Sequence, residues 1–501
     1  MKIIKGERIM FERITPEEAG ISSDRVAEYI TRLERRGAAT HSVLMMKGDK
    51  IFAEYYWAPF HKDFNHRMYS ETKSYVSIAI GLLEEEGKLT LDDKIVDWFP
   101  DKIDHEQPEF INELTIREML TMKTAGNPPF WFYHEDPDRA HLYFAERKHY
   151  HPSNTLWEYD SPGSQMLGEL VERASGMSLF DYLKSKVFDH LGTFKNAQIL
   201  KVPGGASWGD SALLCTSRDM ASFARFVMNY GTWNGKRLMN EDYLKTATSA
   251  LVDNRENSYC GTTSHGYGYQ IWRTEKGFMF NGMGGQYTLC FPDKDLIFVI
   301  TADNQGFDQS KVTVIDGFID TIYENMKDEP LKPSKAAEKR LARATKDLKL
   351  RAVYGLDDSP TRELINGKTY VCDDNPMGIK RFKLTFFKNG TGNFEYVNAQ
   401  GKKKIKFGIN KNVFGKFPQL GYSDEVGGVH TTDGFMYDDA ASACWTCDGK
   451  LILKVQIIDK YFGNLSVVFA FKGKYAAAHF TKCAEAFFEE YQGRFNAVLM
   501  E

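Results

Sequence analysis

Tyr69-Ser70-Glu71-Thr72-Lys73-Ser74-Tyr75-Val76-Ser77-Ile78-Ala79-Ile80-Gly81-Leu82-Leu83-Glu84-Glu85-Glu86-Gly87 decides how the rest of this chain is read. Its middle is apolar on nearly every side and Gly87 supplies a stop, so the spacing predicts a helix over 70–86, buried on most of its surface. Ser70 and Lys73 stand three residues apart, which puts hydroxyl and amine on one helix face. A lone hydroxyl is a weak nucleophile at neutral pH and needs a base beside it. An amine at the start of a buried helix can be that base, because burial disfavours its charged form. Ser70 is the only serine in the chain with lysine three places on. Taken alone, the tetrad reads rather as a capping serine ahead of a surface lysine.

Two further passages point to the same chemistry. Trp157-Glu158-Tyr159-Asp160-Ser161-Pro162-Gly163 supplies Tyr-x-Ser in a loop ahead of another helical stretch. A phenol near a lysine shares its proton, so Tyr159 suits a base in acylation and an acid toward the leaving group. Tyr75-Val76-Ser77 sits mid-helix and Tyr396-Val397-Asn398 lies far along the chain, so neither competes. The third passage, Phe280-Asn281-Gly282-Met283-Gly284-Gly285-Gln286-Tyr287, is glycine-rich and enters a strand. Glycines there allow a ligand to approach the backbone, and a free N–H can join that of Ser70 in an oxyanion hole. A bulge or turn is the plain alternative.

In this order the three passages resemble the serine β-lactamase and penicillin-binding-protein superfamily, in particular its class C-like esterase and amidase branch. The resemblance extends over about residues 10 to 325. It takes in Gly87-Lys88-Leu89-Thr90-Leu91-Asp92-Asp93, Phe99-Pro100, Leu114 to Met122, Leu167-Gly168 with Ala174-Ser175-Gly176, and Pro292-Asp293 with Val299-Ile300-Thr301. It implies an α+β fold: an antiparallel sheet flanked by helices, beside a helical subdomain, with the serine between them. It makes Ser70 the acyl-accepting nucleophile, Lys73 its base or proton partner, Tyr159 the second acid and base, and Ser161 a hydrogen-bonding companion. Gly285, then Gly284, is the expected strand donor to the oxyanion, with Asn281 and Gln286 beside the substrate. No metal or organic cofactor is implied.

Two departures shape the expected substrate. Many relatives carry Lys or His in the strand box, where this chain has Asn281-Gly282 and no cation. A cation there pairs with the carboxylate of a β-lactam or D-alanyl peptide, so a small ester or amide without that carboxylate becomes the expectation. Ser161 stands where Asn is common, and a hydroxyl replaces only part of an amide's hydrogen bonding. A true β-lactamase or D-amino-acid peptidase, and a binding or sensor protein that acylates without turnover, remain rival readings. No His-Glu-x-x-His, P-loop or dinucleotide fingerprint occurs. His41, His66, His265 and His430 are scattered and read as structural or surface groups. Trp131, Phe132, Tyr133 and Tyr267 suit either an apolar acyl pocket or helix packing.

Thr15-Pro16-Glu17-Glu18 opens a helix expected to run through Arg35. Gly48-Asp49 joins Ser42 to Lys47 and Lys50 to Tyr56 as a hairpin. Helices are expected over 164–174 and 219–230, and strands over 279–280, 287–291 and 296–301. Residues 1–330 form the catalytic domain, 331–364 a partly helical linker marked by Pro330, Pro333 and a charge-rich run, and 365–501 a smaller antiparallel β-rich, barrel-like or lipocalin-like domain. Its strand candidates are 381–387, 392–397, 404–408, 451–458 and 465–471. Lys402, Lys403, Lys404 and Lys406 read as a solvated strand edge rather than a site for an anion.

At 501 residues, 42% hydrophobic and 26% charged, the chain is long enough for more than one core. A formal charge of −4 gives no bulk attraction for nucleic acid. No apolar run of membrane-spanning or signal-peptide length stands out, so neither membrane nor nucleic acid is an expected partner. Seven scattered cysteines do not read as a disulfide framework, and a cytoplasmic location is the expectation. Cys444 and Cys447 lack the second pair or histidines a zinc site needs.

Overall fold

The computed structural model describes residues 11–126, 128–129, 131–145, 151–255, 261–428, 434–485 and 491–500. The chain divides into two compact units, Met1–Lys349 and Leu350–Glu501.

The first unit is built on seven strands: β1 (Glu12–Arg13), β2 (Thr40–Lys47), β3 (Lys50–Tyr56), β4 (Trp272–Arg273), β5 (Phe278–Gly282), β6 (Gln286–Phe291) and β7 (Leu296–Ala302). They lie in the order β1-β3-β2-β7-β6-β5-β4, antiparallel except for the short β1–β3 pair. Side chains alternate between sheet faces, so each strand serves two cores. Leu44, Met46, Phe278, Phe280, Ile297 and Val299 enter one core with the helical subdomain. Val43, Met45, Met279, Leu289, Phe298 and Ile300 enter the other. Coverage on both faces explains why β2 and β7 read as unbroken apolar runs rather than alternating ones.

Helix α1 (Ser23–Arg36) covers the second face, with Tyr29 edge-on to Phe298 at 5.7 Å between ring centroids. It starts later than Thr15-Pro16-Glu17-Glu18 suggested. Thr15 and Glu18 do exchange the hydrogen bonds of a capping box. The chain then turns at Gly20, whose φ of 89° and packing against the Lys327 carbonyl leave no room for a Cβ, and Ser22 caps the true helix. Helix α2 (Thr72–Glu85) follows a 3₁₀ turn at Tyr69–Glu71 and is buried from Thr72 through Leu83. Such a helix has no solvated stripe, and it packs on all sides: Tyr75 stacks on Phe223 at 3.8 Å, and Met239 and Tyr243 fill the place a side chain at Gly81 would take. Helices α3 (Ser161–Ser175), capped by Asp160, and α4 (Ser217–Met228), capped by Thr216, complete this side. Helix α5 (Lys335–Thr345), inside the stretch 331–364, is tied to α1 through Arg340 and Asp24 at 2.6 Å.

The second unit holds ten strands: β8 (Thr369–Cys372), β9 (Arg381–Phe386), β10 (Thr391–Asn398), β11 (Gly401–Ile409), β12 (Val413–Ser423), β13 (Gly434–Cys447), β14 (Lys450–Ile458), β15 (Phe462–Lys472), β16 (Tyr475–Cys483) and β17 (Gly493–Leu499). They run in the order β11-β10-β9-β8-β17-β16-β15-β14-β13-β12, and β11 also pairs with β13 at Gly408 and Ile409. That pairing closes a nine-strand barrel and leaves β12 as an extra strand on β13. The interior is filled by rings such as Phe382, Phe394, Phe469 and Phe480. The lysines at 402–404 and 406 lie where β11 pairs with β10 but not with β13. Cys444 is buried and Cys447 exposed, although both belong to β13. Among the described residues no helix is long and apolar enough to cross a membrane.

Candidate active site

Tyr69 adopts φ of 48°, a left-handed backbone that is strained for a ring-bearing residue. The strain is held by packing: the buried Arg67 guanidinium lies 4.3 Å from the Tyr69 ring and 4.3 Å from the Trp208 ring, and it donates to the Ser211 carbonyl at 3.0 Å. The turn points successive side chains in opposite directions. Ser70 is partly exposed, whereas Glu71 enters the core and accepts from Thr288 Oγ1 at 3.1 Å and 3.2 Å. Burial pushes the Glu71 carboxyl well above its ordinary range, more than the Thr288 hydrogen bonds lower it.

Lys73, one turn further on, is 1% exposed. Its Nζ donates to Ser70 Oγ at 3.0 Å and to the Asp210 carbonyl oxygen at 2.7 Å, and lies 5.1 Å from the centroid of the Tyr159 ring. Ser70 and Tyr159, from two distant segments, therefore both lie beside the Lys73 amine. Tyr159 is fixed from behind by stacking on Trp272 at 5.6 Å, beside the small core of Met122, Trp157 and Tyr267. Its loop is pinned where Glu158 N–H meets the Met122 carbonyl at 3.1 Å. Asp160 then starts α3 by accepting from Gly163 N–H at 2.8 Å, and a Cβ at Gly163 would lie 2.4 Å from the Asp160 carboxylate, so a larger residue there would displace this cap. Ser161 is the first residue of α3 and partly exposed.

The glycine-rich passage forms the hairpin between β5 and β6. Gly282 packs so closely that a Cβ would stand 2.2 Å from the Met68 carbonyl oxygen, which sets the end of β5 against the backbone just ahead of Ser70. Ladder pairing ends at Gly282 with Gln286, leaving 283–285 as the turn. Gly284 and Gly285, with φ of 80° and 94°, lie in that turn. The Gly284 carbonyl accepts from Asn304 N–H at 2.8 Å, and Gly285 N–H donates to the Gly282 carbonyl at 3.3 Å. The amide of buried Gln286 donates to the Met283 and Ala302 carbonyls at 2.8 Å each and accepts from Ala302 N–H at 3.0 Å. Gly284, Gly285 and Gln286 thus hold the hairpin together, while Asn281 and Met283 are the partly exposed and exposed residues of its tip. Nothing in residue type distinguishes Met283; only the point where pairing stops does.

Asp210 and Arg139 complete the surroundings of Lys73 and carry no sequence signature of their own. Arg139 binds the Asp210 carboxylate through both terminal nitrogens, at 2.8 Å and 3.2 Å, and both side chains are buried. Burial alone would push the Asp210 carboxyl up, but the charges of Arg139 and Lys73 hold it below its ordinary value. His41 and His66 lie Nδ1 to Nε2 at 2.8 Å, and His66 Nδ1 faces the Arg67 carbonyl at 2.9 Å. Burial lowers both, His66 to about 3, so the pair is a neutral structural link behind the turn. His265 is exposed, and His430 lies outside the described residues. Trp131 and Phe132 stack on each other at 4.1 Å and edge-on against Trp208, while Tyr267 packs with Trp157 and Trp272. Among the described residues no cluster of three His, Cys, Asp or Glu is arranged to hold a metal ion.

The chain is similar to known proteins. A 309-residue stretch is 24% identical to the 6-aminohexanoate-dimer hydrolase of Paenarthrobacter ureafaciens, covering 57% of this chain and 78% of that protein. A shorter stretch of 130 residues is 31% identical to penicillin-binding protein 4* of Bacillus subtilis, 24% of this chain and 27% of that one. Among solved structures, a putative 6-aminohexanoate-dimer hydrolase from Bacillus anthracis superposes with a TM-score of 0.52 at 17% identity, over 64% of this chain and 88% of that one. A putative beta-lactamase from Bacteroides dorei gives 0.51 at 15% identity, over 60% and 98%. These structures share the fold of the first unit. The beta-lactamase family model matches residues 24–315, more than half of the chain and all of the segments that meet at Lys73, and the chain belongs to the beta-lactamase family.

Proposed function

We propose that the chain is a serine hydrolase that cleaves a small ester or amide through an acyl-enzyme on Ser70. The observation that carries this reading is the buried Lys73 amine, hydrogen-bonded to Ser70 Oγ and to a main-chain carbonyl, with the Tyr159 ring beside it. In its neutral form the amine keeps one N–H on the Asp210 carbonyl and turns its lone pair to Ser70, whose proton it takes as Oγ attacks the carbonyl carbon. Tyr159 passes its proton to the leaving alcohol or amine; the phenolate then takes a proton from the attacking water, and Lys73 returns its proton to Ser70 Oγ as the acid is released. The oxyanion is met by the Ser70 N–H, which as an early helical N–H has no intrahelical acceptor, and from the hairpin side by Met283 N–H in place of Gly285. Asn281 offers an amide rather than a cation, which favours substrates without a carboxylate at that position. The curated relative named as a hydrolase of the 6-aminohexanoate dimer supports hydrolysis in general.

Steady-state assays with p-nitrophenyl esters of graded chain length, alongside a cephalosporin, test this. Ester turnover that drops at least about 10²-fold in both Lys73→Ala and Tyr159→Phe is the expected result. Cephalosporin turnover at a comparable rate would make the protein a β-lactamase instead. A Ser70 adduct that never hydrolyses would make it a sensor.

A further inference from the structure

The Asp210 carbonyl that holds Lys73 belongs to a segment clamped from three directions. Gln165, on α3, accepts from Gly209 N–H at 2.9 Å and donates to the Ser207 carbonyl at 2.9 Å. Glu172, two turns further along α3, accepts from Ser207 Oγ at 2.6 Å. Gly209 meets Gly168 backbone to backbone, with 3.2 Å between the place of its missing Cβ and Gly168 Cα. Arg139 then fixes the Asp210 side chain, donates to Gln165 Oε1 at 3.2 Å, and lies over the Trp131 ring at 4.5 Å. A buried ion pair is a costly way to anchor a loop, since apolar packing usually does as well. Its placement beside the reacting amine calls for another reason.

We infer that Arg139 and Asp210 are positioning residues for the Ser70 chemistry: the pair holds the Asp210 carbonyl on Lys73 Nζ and cancels the Asp210 charge that would otherwise favour the ammonium form. This rests on the reading of Ser70 and Lys73 as nucleophile and base. With the pair intact, the carboxylate and guanidinium leave little net field at Nζ, and the carbonyl alone orients the amine. Without Arg139 an uncompensated buried carboxylate stabilises ammonium, and the base becomes available only at higher pH. Without the Asp210 charge, the guanidinium disfavours ammonium and the base becomes available at lower pH. The charged and titratable groups facing Lys73 from elsewhere are Tyr159 ahead of α3, with Tyr267 behind it, and Glu71 in the turn just ahead of α2, directed into the core. Behind Arg139, Glu169 accepts from Gln165 at 3.0 Å, with Glu172 and Asp138 near it, and burial raises its carboxyl to about 7.

The test is the acid limb of kcat/KM for a p-nitrophenyl ester in wild type, Asp210→Asn, Arg139→Met, Arg139→Lys and the Arg139→Met/Asp210→Asn double variant. Removing one charge moves the limb by about 1 unit or more, to lower pH in Asp210→Asn and to higher pH in Arg139→Met. The double variant returns it close to wild type, and Arg139→Lys stays within about 0.5 unit of wild type. Equal losses at every pH with an unmoved limb would overturn the inference, as would shifts of the same sign in both single variants. If Arg139→Met does not fold, the Asp210→Asn limb decides: a shift to lower pH supports the inference and an unmoved or raised limb refutes it. Ser70→Ala is run alongside, since ester turnover surviving there would remove the nucleophile assignment, whereas Ser70-dependent turnover with unmoved limbs removes only the role of the pair.

Discussion

Ser70 and Glu71 are adjacent, yet one is partly exposed and the other lies in the core, and the strained φ of Tyr69 sets that division. Glu71 gives a pH test of it. Its carboxyl is raised in the folded protein by burial, so the neutral acid is the form the fold accepts. A raised carboxyl contributes stability that is complete below the unfolded value near 4.5 and declines as pH rises above it. Glu71→Gln, neutral at every pH, should therefore melt close to wild type at pH 4.5 and increasingly above it toward pH 8. Thermal scans at both pH values check this, and a difference independent of pH would contradict it. At this scale the sequence displayed side-chain chemistry and hid main-chain chemistry. Ser70, Lys73 and Tyr159 announce themselves by type and spacing. The Asp210 carbonyl and the Met283 N–H exist at every residue and gain meaning only from where the chain folds.

At the scale of elements, the contact of β5 with the turn that carries Ser70 is backbone on backbone. Gly282→Ala should drive a methyl group toward the Met68 carbonyl, push the strand tip from Ser70 and lower kcat/KM by about 10²-fold. Gly87, at the end of α2, has a left-handed φ of 67° but open space around it. Gly87→Ala should cost about 1 kcal/mol of stability and leave kcat/KM within about twofold of wild type. Paired kinetics and melts separate the two, and equal kinetic losses would contradict the assigned role of Gly282. Elements with a plain period were legible: α2, α3, α4 and the strands β2, β3, β6 and β7 lie close to where apolar runs and turns placed them. The helix expected from Thr15 was not, because a local capping pattern cannot show that Gly20 packs on Lys327. Strand β16 was also missed. Its Tyr475-Ala476-Ala477-Ala478 start carries small residues with low strand preference, and burial of Ala476, Ala478 and Phe480 appears only once neighbours are paired.

At the scale of the molecule, each unit carries its own core, and a core change should act on the unit that contains it. Phe394, fully buried in the barrel against Phe469 and Tyr396, is the probe. Phe394→Ala should lower the stability of Leu350–Glu501 by about 3–5 kcal/mol. Hydrogen exchange would show lost protection in β9, β10 and β15 while β2 and β7 keep theirs; equal loss in both units would contradict separate cores. The antiparallel barrel was legible from repeated short strands and turns, but its closure was not. Closure depends on Gly408 and Ile409 meeting Ser442 and Ala443, a pairing between segments that no local pattern links. The same holds for the surroundings of Lys73, where Lys73, Arg139, Gln165 and Asp210 converge from four segments.

The most direct measurement is covalent labelling with a fluorophosphonate probe, read by intact mass and peptide mapping. Wild type should gain a single adduct at Ser70, Lys73→Ala should label much more slowly, and Ser70→Ala should not label at all. Undiminished labelling of Ser70→Ala, or an adduct mapped to another residue, would contradict the account.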